Sequence, residues 1–124
     1  MKIAIISGSP RTASVTRRVA LYLQGWLKKN SSHEIDLIEM KDWEVPPVQT
    51  VWVTPDKAPV ALQPLAEKIF NADGYILVTP EYNGSYSPAM KNLLDHFPKR
   101  HHKPFGIVTA SPGAMGGMRA SQQL

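Results

Sequence analysis

The chain has 124 residues, 43% hydrophobic and 19% charged, with no cysteine. This fits one compact globular domain and excludes disulfide scaffolds, thiolate-held zinc, CxxC redox chemistry and thiol nucleophiles. Fourteen Lys and Arg against ten Asp and Glu leave a formal charge of +4, which suits an anionic ligand and equally an ordinary basic surface. The opening MKIAIISGSP has too short an apolar run for a signal sequence, and no stretch reaches the roughly 20 apolar residues of a membrane span, so a soluble cytoplasmic protein with no membrane role is expected.

Residues 1–7 (MKIAIIS) read as a strand buried on both faces, as in a parallel sheet. Val15, Val19, Tyr22, Leu23, Trp26 and Leu27 then recur at helical spacing, which predicts an amphipathic helix burying that face, entered through GSPRTAS. Residues 34–40 (EIDLIEM) alternate as a second strand. The proline-rich VPPVQTVWVTPDKAP follows, and so long an irregular segment in a small domain is usually functional or mobile. Pro64 can open a second helix with Leu65, Ala66, Ile69 and Phe70 on its core face. Residues 74–79 (GYILVT) and 103–110 (KPFGIVTA) make a third and fourth strand. Between them Ser87 and Pro88 start a helix that Pro98 ends, and MRASQQL begins a last one. The alternation βαβαβαβα argues a single α/β sandwich over residues 1–124, with a parallel sheet and right-handed crossovers.

In such sheets ligands bind beyond the carboxyl ends of the strands, so the loops after strands one, three and four are the informative ones. The first, Ser7-Gly8-Ser9-Pro10-Arg11-Thr12-Ala13-Ser14-Val15-Thr16, combines a tight turn, hydroxyls, a guanidinium and a helix N-terminus. That is either a phosphate cradle or simply a capped helix. It matches neither GxxxxGK[ST] nor GxGxxG. The third-strand loop, TPEYNGSYSPAMKN, packs two tyrosines, an asparagine and a glycine into a short space. It suits a planar heteroaromatic ligand, or else Asn83-Gly84 makes a plain turn and the tyrosines cover the core. The fourth, SPGAMGG, has three glycines and no charge, so its backbone can approach a ligand closely or serve as a flexible connection.

Other groups carry less. His101 and His102 are adjacent within a basic run and read as a solvated approach to the fourth strand, not as metal ligands. Asp95 and His96 are helix neighbours that do not face each other. The basic run lacks interleaved aromatics, so no nucleic-acid partner is expected. Met115 and Met118 read as packing residues.

GSPRTASVT, TPEYNGSYSPAMKNLLDH and SPGAMGG, in register along essentially the whole chain, resemble the NADPH-dependent FMN reductase family, flavodoxin-like flavoproteins that include quinone and azo-dye reductases. The resemblance implies FMN. Its phosphate would lie on Ser9, Arg11, Ser14, Val15 and Thr16, its ring along Pro80, Glu81, Tyr82, Asn83, Gly84 and Ser85, with Ser111 and Gly113 at the ring edge. It implies hydride transfer from NAD(P)H through the flavin to a quinone, azo compound, metal ion or free flavin, and a homodimer or homotetramer. No acid, base or nucleophile is required, since the cofactor carries the hard chemistry. The proline-rich segment is then expected to shape the acceptor side, with Trp52 stacking there or forming a subunit contact. The alternative is a non-catalytic flavin-binding or flavodoxin-type electron carrier; Arg11 and the positive charge favour the reductase.

The implied fold is a three-layer sandwich with strand order 2-1-3-4-(5). Only four strands can be read, the fifth being missing from this chain, and the sequence stops within a helix. The expectation at this point is a domain truncated at its C-terminus, with the fourth strand as an apolar edge.

Overall fold

The computed structural model describes residues 1–124. Four strands, β1 (Lys2–Ser7), β2 (Glu34–Glu39), β3 (Gly74–Pro80) and β4 (Phe105–Ala110), form one parallel sheet in the order β2-β1-β3-β4. The expected order of these four strands is the observed one. The register pairs Ile5 with Leu37 and Ile76, and Leu77 with Ile107.

Because side chains alternate along each strand, β1 feeds two cores. Ile5 joins Ala20, Ile35 and Val78 beneath helix α1 (Val15–Asn30). Ala4 and Ile6 join the larger core on the other face. That core is covered by α2 (Gln63–Asn71), α3 (Pro88–Asp95) and the end of α4 (Met118–Gln123), through Leu65, Ile69, Met90, Leu93 and Leu124. The result is the three-layer α/β sandwich.

Two expectations about burial change. On α1 only Val19, Leu23 and Leu27 of the six apolar residues pack on the sheet, whereas Val15, Tyr22 and Trp26 are 57%, 70% and 52% exposed. A six-member apolar set spans a wider arc than one sheet face can cover, and the residues beside Ala20 win. The proline-rich segment contains 3-10 turns at Pro55–Lys57 and Val60–Leu62 and is tied to α3. Asn92 Nδ2 donates to the carbonyls of Val45 and Pro46, and the Trp52 amide donates to the His96 carbonyl at 2.7 Å. Trp52 is therefore core, 3% exposed, against the His96 and Phe97 rings at 4.2 and 5.4 Å.

Candidate functional site: a cavity between three strand-end loops

The β1–α1 loop is shaped by a close approach. Its Gly8 amide donates to the Val78 carbonyl at 2.8 Å, and a Cβ at Gly8 would stand 2.6 Å from Met90 Cε and 3.2 Å from Ser87 Oγ. A side chain there would have to displace the Met90 methyl and crowd Ser87. Ser87, buried at the start of α3, answers with its hydroxyl. Ser87 Oγ donates to the Gly8 carbonyl and accepts from the Met90 amide, so one oxygen caps α3 and fastens it to the loop. The Ser87 amide donates in turn to Thr79 Oγ1.

Beyond Gly8 the chain reaches α1 through Ser14, whose hydroxyl accepts from the Arg17 amide at 3.2 Å. Ser9 Oγ accepts from the Arg11 amide. No loop or capping hydrogen bond engages the amides of Thr12, Ala13, Ser14, Val15 or Thr16, and the first helical amides have no partner within the helix. Arg11 forms no salt bridge, and its guanidinium lies over the Tyr82 ring at 5.2 Å from the centroid. Loose amides, hydroxyls and an unpaired cation at a positive helix end form a donor set suited to a dianion.

Facing this cradle, Tyr82 and Ser85 exchange two backbone hydrogen bonds, with Asn83 and Gly84 at φ +53° and +80° forming the tip. Asn-Gly therefore does make a tight reverse turn. The two tyrosines divide between the readings considered for them: Tyr86 packs on the core, while Tyr82 faces the cavity. Glu81 is held by Arg119 of α4, Oε1 to Nη2 at 2.8 Å. The β4–α4 loop is knit, not loose: the Gly113 amide donates to Ser111 Oγ and the Gly116 amide to the Gly113 carbonyl.

The three loops enclose a cavity of about 510 Å³, within the size range of cofactor sites. Ser9, Arg11, Ser14, Val15, Thr16, Pro80, Glu81, Tyr82 and Ser111 line it. Of the thirteen residues assigned from sequence, Asn83, Gly84, Ser85 and Gly113 stand outside this lining, on the turns that carry it. Ala13, Ala110 and Pro112 line it unforeseen; small apolar side chains signal no chemistry, and only their place in the same loops could have pointed to them. None of residues 46–59 lines this cavity; the segment is held instead against Asn92 and His96, toward the C-terminal end of α3. A groove of about 550 Å³ on the α2–α3 face is slightly larger, but two of its cations are already engaged. Arg100 donates to the Phe70 carbonyl and Tyr75 hydroxyl, and Lys103 pairs with Asp73.

The family description "NADPH-dependent FMN reductase" matches residues 1–124. The chain belongs to the NADPH-dependent FMN reductase family. An NAD(P)H-dependent FMN reductase of Schizosaccharomyces pombe is 30% identical over 99% of this chain and 63% of its own length. An FMN-dependent NADPH-azoreductase of Staphylococcus haemolyticus is 32% identical over 100% of this chain and 65% of its own. This FMN reductase family member thus spans slightly less than two thirds of the curated relatives' length. Among solved structures, NADH:FMN oxidoreductase EMOB superposes with a TM-score of 0.79 at 24% identity, covering 95% of this chain and 62% of that one. FerB, a flavoenzyme NAD(P)H:acceptor oxidoreductase from Paracoccus denitrificans, gives 0.75 at 26%, covering 98% and 66%. No helix is long and apolar enough to cross a membrane.

Proposed function

We propose that the protein is an FMN-dependent oxidoreductase that uses NAD(P)H to reduce a small-molecule acceptor such as a quinone, an azo compound, a metal ion or free flavin. One observation carries the reading: the unpaired Arg11 and residues 13–16, whose amides are loose, line the cavity that Tyr82 walls. Bound FMN would supply the hydride chemistry. Ser9, Ser14, Val15 and Thr16 would hold its phosphate through hydroxyls and amides, with Arg11 adding charge. Pro80, Glu81, Tyr82, Asn83, Gly84 and Ser85 would lie along the ring, and Ser111 and Gly113 along its edge. The family membership and the names of the relatives support the same reading. The protein would work in the cytoplasm as a homodimer or homotetramer.

Titrating FMN into purified protein, then adding NADPH with and without a quinone, tests this. Quenched flavin fluorescence, bleaching by NADPH and quinone-dependent NADPH consumption are the expected results. Binding without reduction would instead mark a flavodoxin-type carrier, and no binding at all would overturn both.

A further inference from the structure

The turn at Tyr82 to Ser85 is a two-residue hairpin closed by a single pair of backbone bonds, 2.8 and 3.1 Å long. So short an element is not stable by itself, and its orientation depends on what holds it from outside. On the cavity side it meets Arg11. From the β4–α4 side it meets Arg119, through two contacts. Arg119 Nη2 donates to Glu81 Oε1 at 2.8 Å, just before the hairpin. The same guanidinium lies flat enough on the tip that a Cβ at Gly84 would stand 3.2 to 3.5 Å from its Nη1, Cζ and Nε atoms.

Charge and burial make this contact unequal. The Glu81 side chain is 14% exposed in the wall of an anion-suited cavity, and Arg119 is its one ionic partner. Without Arg119 that carboxylate would have to turn toward water or face an incoming anion. Arg119 is 62% exposed, yet its backbone is anchored. Gly117 sits at φ +92°, where a Cβ would meet Thr109 Cβ at 2.7 Å, and Thr109 Oγ1 donates to the Gly116 carbonyl at 2.7 Å. A fixed helix start therefore delivers the guanidinium to the hairpin.

We propose that Arg119 is a positioning residue: through Glu81 and Gly84 it sets the orientation of the Tyr82–Ser85 hairpin and so the shape of the wall offered to a planar cofactor. The cofactor half of this inference rests on the flavin reading above; the clamp itself does not. An ammonium could restore the ion pair but not the flat contact on Gly84, so Arg119→Lys is expected to fall between Arg119→Ala and the native protein.

Amide hydrogen exchange on the FMN-free protein tests the clamp directly. In Arg119→Ala the Tyr82 and Ser85 amides should exchange about tenfold faster while core-strand amides such as those of Ile5 and Val78 keep their protection, and Arg119→Lys should recover part of the difference. Unchanged hairpin exchange would overturn the proposal, and so would an equal rise across hairpin and sheet, which marks a general loss of stability. Should Arg119→Ala fail to fold, Glu81→Gln carries the same expectation, because it weakens the clamp from the other end. With FMN added, Arg119→Ala should bind about tenfold more weakly than the native protein and alter the visible absorbance of the bound flavin. Native protein that ignores FMN while its hairpin still answers to Arg119 would sink the flavin reading and leave the clamp standing. Weak binding with an unaltered flavin spectrum would overturn the positioning role.

Discussion

Arg11 rests on Tyr82 and forms no salt bridge, the nearby Glu81 being paired with Arg119, so its charge remains available to a ligand. Replacing it with alanine removes a charge-assisted bond, and FMN affinity measured by calorimetry should fall by about 1.5 to 3 kcal/mol. Tyr82→Phe keeps the ring face beneath the cation and should cost little, whereas Tyr82→Leu should cost a further ~0.5 to 1 kcal/mol. At Gly117 a left-handed φ and the near contact with Thr109 exclude any side chain. Gly117→Ala should therefore lower stability by about 1 to 3 kcal/mol in urea denaturation. Gly8 differs in kind: its φ is not left-handed, and what a side chain would meet there is Met90 and Ser87. A single chain can suggest that a glycine opens a turn. It cannot say which distant side chain occupies the missing Cβ.

The elements are fastened by a few polar bonds at their ends. Ser87→Ala would uncap α3 and strand the Gly8 carbonyl in a buried place, an expected loss of about 2 to 3 kcal/mol by thermal or urea unfolding. At the opposite end of the sheet the Lys2 amide donates to Asp73 Oδ2 at 2.7 Å, and that bond, with Lys103 nearby, holds the Asp73 carboxyl below the usual carboxylate range. A lowered folded-state value means the stabilisation is complete above roughly pH 4, the ordinary aspartate value, and is lost as pH falls through the lowered one. Asp73→Asn should accordingly be less stable than the native chain at pH 7 and approach it in strong acid, as paired urea titrations would reveal. All four strands and the Ser87-Pro88 start of α3 were legible in the sequence, because alternation, apolar runs and capping chemistry are local. The burial of Trp52 was not: it depends on Asn92 and the His96 carbonyl reaching across from α3, a contact that leaves no periodic trace. The outward Tyr22 and Trp26 were misread for the converse reason, since helical spacing marks a face without saying how much of it the sheet will cover. In the candidate site the loops were legible and the clamp from Arg119 was not, because it joins Glu81 to a residue 38 positions on.

Over the whole molecule the charge is unevenly spread. Helix α1 carries Arg17, Arg18, Lys28 and Lys29 and no acid; Arg17 is paired with Glu39 of β2, and Lys28 and Lys29 lie in the last turn, which leaves Arg18 as the unpaired cation of the first turn. The N-terminus of α1 opens on the loop cavity, so Arg18 and the positive helix end act where an anion would enter. Stopped-flow association of FMN should slow about tenfold as ionic strength rises from low to physiological values, and Arg18→Glu should slow it further while hardly changing dissociation. The bond between Ser87 and Gly8 links residues 79 apart, and it has a kinetic consequence. The cradle cannot assume its shape until β3 and α3 have docked on β1, late in any folding order in which nearby contacts form first. A ligand of the cradle would then find nothing to hold in the folding transition state: it should lengthen the life of the native protein by slowing unfolding and leave the rate of refolding untouched.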